Sequence, residues 1–192
     1  MCLTKPSSGW GLHMNIFFLD SNPYECAKMH CDLHVNKMLI ESCQMIANCY
    51  SESLLFDAPK TQSNTVRKHS YFNHPVSIWV RETWGNYCYT IQLASGLSNE
   101  WEHRFGVKHF SDAFLTWATN NIYEVANTLI DSNNREMIKP VLAMPPLFHL
   151  SGDPIISSVA SYRRYYKFKK EYLTRRGLGF KYTKRAMPDW LK

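Results

Sequence analysis

Six polar side chains suited to acid–base chemistry recur at helical spacing between residues 30 and 48. On a wheel at 100° per residue they fall within roughly 80° of one another, and nearly all other positions of this stretch are apolar. The six residues, which we name the polar stripe, are His30, His34, Lys37, Glu41, Gln44 and Asn48. Two imidazoles, an amine and a carboxylate on one face are the groups that enzymes use for proton transfer and charge stabilisation.

A helix that is apolar almost all round is expected in the core. A narrow polar stripe on it must then face a cleft or a satisfied network, because unpaired buried polar groups are costly. Two interpretations stay open: an active-site wall with Glu41, Lys37, His34 and His30 as catalytic residues, or an internal network built on the i,i+4 pair of Lys37 and Glu41. Because a His-Glu-x-x-His motif and a nearby third ligand are missing, the sequence predicts no metal and no cofactor.

A second group of candidate binding residues precedes the next helix. Asn73, His74 and Pro75 form a helix start, where unpaired N–H groups attract anions, and Arg67 and Lys68 come just before it. This pattern predicts contacts with nucleic-acid phosphates. Plain helix capping is the alternative.

The C-terminal segment is strongly basic. Of the 22 Lys and Arg residues eleven lie from Tyr162 onward, with two of the 16 Asp and Glu residues, so this segment carries +9 and residues 1–161 carry −3. Cations alternate with aromatic rings, a composition typical of nucleic-acid binding. The predicted contacts are Arg163, Arg164, Lys167, Lys169, Lys170, Arg175 and Arg176. We expect double-stranded DNA as the partner; a membrane surface, an acidic protein or a solvated helix face are the alternatives.

These residues must be positioned by helices. Periodicity and capping signals predict helices over about 24–50, 75–105 with a bend near Gly85 or Gly96, 112–130 and 155–176. The stretch Met14–Asp20 reads as a short buried strand or extended segment. The predicted fold is therefore mainly α, a compact multi-helix single domain over 14–176 with at most a short N-terminal strand. Residues 1–13 read as an extension, and 177–192 as a basic tail.

Composition excludes several classes of protein. No apolar run approaches the roughly 20 residues that a membrane helix needs, and the N-terminus carries no apolar signal region. Six cysteines without a Cys-x-x-Cys pair indicate buried free thiols. We therefore expect a cytoplasmic protein that does not bind membranes.

Three motifs together resemble a family of small phage and bacterial proteins labelled pyrimidine-dimer DNA glycosylase, endonuclease V-like. They are Asp32-x-His34-x-x-Lys37-x-x-x-Glu41-x-x-Gln44, Asn73-His74-Pro75-x-x-x-Trp79 and Glu100-x-x-x-Arg104-x-Gly106. The similarity spans roughly residues 14–110, with a weaker echo in Tyr162-Arg163-x-Tyr165-Tyr166 and Pro188-x-Trp190.

The resemblance implies a helical DNA-repair fold and base excision by a helix-borne glutamate, here Glu41. The type enzyme of that family cleaves the strand through a free N-terminal α-amine that forms a Schiff base. In this chain thirteen residues precede Met14, where the similarity to the family begins, so the N-terminal amine is not at the position that the family uses. Lys37 is the alternative source of an amine.

The leading hypothesis is a phage-type, DNA-acting enzyme that works on a nucleobase or its glycosidic bond. Glu41 would stabilise positive charge or transfer a proton, Lys37 would act as nucleophile or electrostatic partner, and the histidines would position phosphate or base. Two alternatives remain: a non-catalytic nucleic-acid-binding phage accessory protein, and a nucleobase-modifying enzyme that leaves the glycosidic bond intact. The oligomeric state is not predicted.

Overall fold

The structure is a computed structural model that describes residues 14–192. Seven α-helices form in this range: α1 Pro23–Lys28, α2 Asp32–Ala47, α3 Glu52–Leu55, α4 Pro75–Glu82, α5 Trp84–Phe105, α6 Asp112–Asn120 and α7 Pro154–Arg175. Short 3-10 turns cover Ile122–Asn127, Pro146–Phe148 and Asp189–Leu191. The prediction of a mainly α, single-domain fold is confirmed. Residues 14–19 have no regular secondary structure and form no strand with the rest of this range, and the predicted extension 1–13 lies outside it.

The long helix α5 is the centre of the fold. It packs against α1, α2, α4 and α6. Gly96 allows α1 to approach closely, because a Cβ at this position would lie 2.9 Å from the Cβ of Ala27. Gly106 ends the helix in the left-handed conformation, with φ +74. Helix α2 is thus held between other elements, as its nearly all-apolar surface predicts.

The first predicted helix is interrupted between α1 and α2. A continuous helix over 24–50 was the expectation, but residues 29–31 leave it. The guanidinium of Arg104 on α5 donates to the carbonyl oxygens of Lys28 at 3.1 Å and His30 at 2.8 Å. These bonds replace helical hydrogen bonds at the break, and Asp32 at the start of α2 accepts a third from Arg104 at 3.0 Å. A tertiary contact therefore decides where the helix ends.

The second predicted helix is also two helices, but its break lies at Thr83, before Gly85. Thr83 is fully extended, with φ −134 and ψ 159, and its hydroxyl accepts from the backbone N–H of Asn86 while donating to the carbonyl of Glu136. The residue is thus an N-cap for α5. The next predicted helix ends at Asn120, ten residues early, and continues as a 3-10 turn.

Residues 177–192 pack back on the helices. The backbone and hydroxyl of Thr183 donate to Asp32, and Arg185 donates two bonds to Glu100, at 2.6 and 3.0 Å. Leu191 is buried, and its carbonyl accepts from Lys170 at 2.8 Å. The segment that reads as a basic tail is therefore part of the folded body.

The cysteines of the described range are free thiols. Cys26, Cys31, Cys43 and Cys49 are buried and Cys88 is half-buried. The prediction of free thiols is confirmed for these five. Cys2 lies outside the described residues.

Candidate functional site

Glu41, in the middle of α2, is a buried carboxylate with two partners. The backbone N–H of Asn15 donates to Oε2 at 2.8 Å, and Lys37 Nζ lies 3.5 Å from Oε1. Only 9% of the residue is exposed. Burial raises the pKa of Glu41, and Lys37 and the Asn15 bond oppose this shift in part. The Glu41 carboxylate is therefore fixed in position by its partners, while its burial makes the charged form less favourable than in water.

The segment before α1 carries this partner and kinks beside the site. The Asn15 side chain accepts from the N–H of Phe17 and donates to the carbonyl of Ala143. Phe17 adopts φ +38, an uncommon value for a bulky residue. The Phe17 ring centre lies 4.8 Å from that of His34, in a tilted arrangement, and 5.1 Å from that of Tyr166, edge to face. Strained backbone of this kind is concentrated at functional sites in proteins.

His34 lies one turn before Lys37 and is hydrogen-bonded to α7. Its Nδ1 is 2.8 Å from the hydroxyl of Tyr166, which also accepts the backbone N–H of Cys31 at 2.9 Å. Burial, together with the charges of His30, Lys169 and Lys37, places the pKa of His34 well below its ordinary value. The imidazole is therefore neutral at pH 7.

Lys169 on α7 joins the site beside Lys37. The side chain is half-buried, with Nζ 5.5 Å from the ring centre of Tyr172 and 6.0 Å from that of Tyr165. Burial and the charge of Lys37 lower its pKa. Sequence reasoning places Lys169 among the DNA-contacting cations and misses its proximity to the polar stripe. Lys169 follows Tyr165 and Tyr166 by one helical turn, which predicts that it shares a face of α7 with these rings. The spacing does not show which face of α7 is turned toward α2.

His30 is not part of the site around Glu41. It precedes α2, is fully buried, and uses Nδ1 to donate to the carbonyl of Cys26 at 2.8 Å. Burial is the main cause that lowers its pKa to about 4. The predicted stripe placed His30 in line with His34 because it assumed an unbroken helix. Its ring belongs to the core.

The C-terminal end of the stripe has a structural role. Asn48 exchanges two hydrogen bonds with the backbone of Ser70, at 2.9 and 3.1 Å. Helix α4, which follows this segment, contacts α2. His74 caps α4, its ring nitrogen accepting from the N–H of Val76 at 3.3 Å. Gln44 is half-buried and Asn73 is exposed.

Arg67 is not the surface cation that the sequence predicts. It is 8% exposed, its guanidinium stacks 4.0 Å from the ring centre of Phe114, and Nε donates to the carbonyl of Pro59. This arginine holds the loop after α3 to α6 and cannot reach a phosphate without leaving the core. Lys68, beside it, is exposed.

The cations of α7 divide into bound and exposed groups. Arg163 donates to Asp20 and to the carbonyl of Leu19, and Lys170 is bonded to Leu191. Those two positions serve packing. Four predicted DNA contacts remain on the surface, and we name them the α7 basic face: Arg164, Lys167, Arg175 and Arg176.

Glu100 and Arg104, an i,i+4 pair from the third motif, form a closed network that does not include Lys37 or Glu41. All five N–H groups of Arg104 are used: by Glu100, Asp32 and the carbonyls at residues 28 and 30. Burial alone would raise the pKa of Glu100, but Arg185 and Arg104 hold it below its ordinary value. The network joins α2, α5 and the C-terminal segment.

No helix among residues 14–192 is long and apolar enough to cross a membrane. No group of three or more His, Cys, Asp or Glu side chains in that range is arranged to hold a metal ion.

Comparison of the chain with protein-family models, with curated proteins and with solved structures finds no match to any of them.

Proposed function

We propose that the protein is a DNA-acting enzyme that attacks the bond between a nucleobase and its sugar. The observation that carries the proposal is the state of Glu41: a carboxylate with a raised pKa, oriented by the Asn15 N–H, with Lys37 beside it. Groups placed in this way are typical of catalytic sites. The resemblance to endonuclease V-like glycosylases assigns base excision to the same residue.

In this reaction the bond from C1′ to the base nitrogen breaks, and the base leaves with the electron pair. The sugar becomes positively charged at C1′, and the carboxylate of Glu41 stabilises that charge. Water or a neutral amine then adds to C1′ and gives up a proton, which Glu41 accepts and passes on to the departed base. Lys37 is the amine nearest to Glu41, and once its ammonium has given a proton to Glu41 it is our candidate for the nucleophile of any strand-cleaving step.

DNA binding is assigned to the α7 basic face. Three of its cations lie on α7 and Arg176 caps the end of that helix, which also carries Tyr166 to His34. Guanidinium and ammonium groups neutralise phosphates without reading sequence. A base must leave the DNA duplex to reach a buried carboxylate such as that of Glu41.

The decisive variant is Glu41→Gln, assayed by single-turnover base release from duplex DNA with a pyrimidine dimer. The change keeps the shape and removes the charge, so we expect at least a hundredfold loss of rate, with unchanged DNA affinity. Glu124→Gln makes the same chemical change at an exposed position and should keep the wild-type rate. Borohydride traps a Schiff base between an enzyme amine and abasic DNA as a stable covalent complex. If Lys37 supplies that amine, the complex should form with wild type and be absent with Lys37→Met.

One observation favours the non-catalytic alternative. Both oxygens of Glu41 already have a partner in the structure, as a purely structural network requires. In that case no base release occurs on any DNA, and Glu41→Gln changes stability without changing DNA affinity.

A further inference from the structure

Three aromatic rings form a row along one side of α7. Tyr165, Phe168 and Tyr172 fall within roughly 60° of one another on a helical wheel. The ring centres of Tyr165 and Phe168 are 6.3 Å apart, with an angle of 14° between the planes. Those of Phe168 and Tyr172 are 6.2 Å apart, at 26°. We name these three residues the ring row.

The ring row leads from the core to the surface. Tyr165 is 8% exposed, and its ring centre lies 5.0 Å from that of Phe148. Phe168, with its ring centre 5.3 Å from the same Phe148 ring, is half-buried, and so is Tyr172. Packing therefore holds the inner end of the row, while the outer two rings are accessible to solvent. Stiff aromatic side chains of this kind offer contact area to a ligand at a low cost in conformational entropy.

Two cations lie over rings of the row. Lys169 Nζ is 6.0 Å from the ring centre of Tyr165 and 5.5 Å from that of Tyr172. The Arg176 guanidinium is 5.3 Å from the Tyr172 ring centre and donates to the Tyr172 hydroxyl. In the described part of the chain neither cation forms an ion pair with a carboxylate. Their positive charge is therefore available to an anion.

The opposite side of the ring row is also positive. Arg164 and Arg175 fall beside Phe168 on the helical wheel, across the row from the first two cations, and both are exposed. Arg175 lies 3.8 Å from Glu171, but this pair is solvent-exposed and therefore weak. The face thus presents aromatic rings between two lines of cations. Proteins that bind single strands combine the same two features, rings for the bases and cations for the phosphates.

We propose that the ring row binds an unpaired strand of nucleic acid, with bases stacked on the rings and phosphates held by the flanking cations. Three rings suit about two or three bases. Bases inside a duplex are stacked on one another, so their faces are not open to the row.

That the strand is DNA rests on the proposed function, in which a base must leave the duplex. The ring row shares Arg164, Arg175 and Arg176 with the flanking α7 basic face. The substrate class is then duplex DNA that contains unpaired nucleotides, with the paired part on the basic face and the unpaired part on the rings.

The test measures binding of a fluorescein-labelled thymidine oligonucleotide, and of a duplex of the same length, to the full chain by fluorescence anisotropy. Tyr172→Leu keeps an apolar side chain and removes the ring. We expect the single-strand affinity to fall about fivefold or more, the effect of losing one stacked base, while the duplex affinity stays within about twofold of wild type.

Two control variants separate stacking from other roles of Tyr172. Tyr172→Phe keeps the ring and removes the hydroxyl that contacts Arg176, so it should bind the single strand like wild type. Tyr123→Leu makes the same change as Tyr172→Leu at a tyrosine that is 82% exposed and lies outside α7, and it should change neither affinity. Equal losses for single strand and duplex in Tyr172→Leu, or an equal loss in Tyr123→Leu, overturn the proposal.

A second measurement needs no variant and remains valid if Tyr172→Leu does not fold. A single strand that carries 5-bromodeoxyuridine crosslinks to adjacent aromatic side chains under ultraviolet light, and mass spectrometry of the peptides locates the crosslink. We expect adducts on Phe168 or Tyr172. Adducts confined to residues outside the ring row contradict the proposal.

Two further results distinguish this proposal from the proposed function. Preferential single-strand binding that depends on Tyr172, without base release from any DNA, would refute the proposed function and leave the ring row intact. Base release that depends on Glu41, with single-strand binding that is the same in wild type and Tyr172→Leu, would do the reverse. Much tighter binding of a ribonucleotide strand of matched sequence would assign RNA as the ligand and overturn the DNA source.

Discussion

Two charged clusters of this protein start from the same sequence pattern and end in opposite states. The Glu100–Arg104 pair becomes a closed network in which Asp32 and Arg185 balance the charges, and every N–H of Arg104 has an acceptor. The Lys37–Glu41 pair stays open: the charge of Lys37 lowers the pKa of Lys169, and among residues 14–192 Lys37 forms no ion pair with a second carboxylate.

The difference appears in the pKa values of the two carboxylates. A closed network lowers the pKa of its carboxylate, because cations stabilise the charged form more than burial opposes it. In the open cluster burial dominates, and the pKa of Glu41 is raised. The sequence pattern alone, an acid and a base four residues apart, does not distinguish the two.

The largest expected effect is from Arg104→Met. The change leaves Glu100 and Asp32 with less compensation and two carbonyls at the α1–α2 break without donors, so we expect a loss of about 3–5 kcal/mol in the free energy of unfolding. Urea denaturation measures it. Arg175→Met, an exposed i,i+4 partner of Glu171, should cost under about 0.5 kcal/mol. Similar losses in both variants would mean that the network is not closed.

Acidification should act first on the histidine between the two clusters. The His30 carbonyl belongs to the Arg104 network, and its ring lies 6.0 Å from that of Tyr166. Since folding lowers its pKa from 6.5 to about 4, its contribution to stability is present above pH 6.5 and is lost as the pH falls toward 4. The loss amounts to about 3 kcal/mol. In His30→Gln, the free energy of unfolding measured with urea should change less between these pH values than it does in wild type. An unchanged dependence on pH contradicts the assignment.

A matched pair of glutamine substitutions compares the clusters directly. Glu100→Gln weakens the bonds from two guanidinium groups and should cost about 2–3 kcal/mol. Glu41→Gln removes a charge whose burial is unfavourable, and Lys37, with 36% of its side chain exposed, can turn to water. We therefore expect a loss under about 1 kcal/mol. The same stability loss in both variants would make Glu41 a network residue like Glu100.

The two carboxylates should also respond to pH with opposite sign. Because the pKa of Glu100 is lowered on folding, its stabilisation is present above its ordinary pKa and is lost as the pH falls through the folded value. The pKa of Glu41 is raised, so its contribution is favourable at low pH and is lost as the pH rises through the folded value. The difference in free energy of unfolding between wild type and each glutamine variant, measured over a range of pH, gives the sign of each contribution.

The smallest effect is expected from single cations of the α7 basic face. Each phosphate contact contributes about −0.9 to the slope of log affinity against log salt. Lys167→Gln should therefore lower the magnitude of the slope by about 0.9 and weaken binding to all DNA sequences alike. Arg67→Gln should leave the slope unchanged, because this side chain is buried. A reduced slope in the Arg67 variant would contradict its assignment to the core.

Truncation is a poor test of the same surface. Removal of 175–192 would delete the basic residues, but it would also remove Thr183 and Arg185 from Asp32 and Glu100. Loss of DNA binding would then follow from loss of the fold.

The sequence by itself determines much of the local structure. Asn22 and Pro23 start α1, His74 and Pro75 start α4, and Gly106 ends α5, because caps and proline depend on neighbours along the chain. The apolar surface of α2 determines that this helix is internal. For the same reason Lys37 and Glu41 meet, since four residues of helix place them together whatever surrounds them.

Tertiary structure decides what those residues become. Arg104 divides the first predicted helix and so removes His30 from the stripe, and Phe114 takes Arg67 out of solvent. The packing of α7 against α2 brings Lys169 to Lys37 and the Tyr166 hydroxyl to His34, across more than 130 residues. Burial, charge balance and tautomer depend on atoms that are distant in the chain, so periodicity and spacing, which reach only a few turns, carry no information about them.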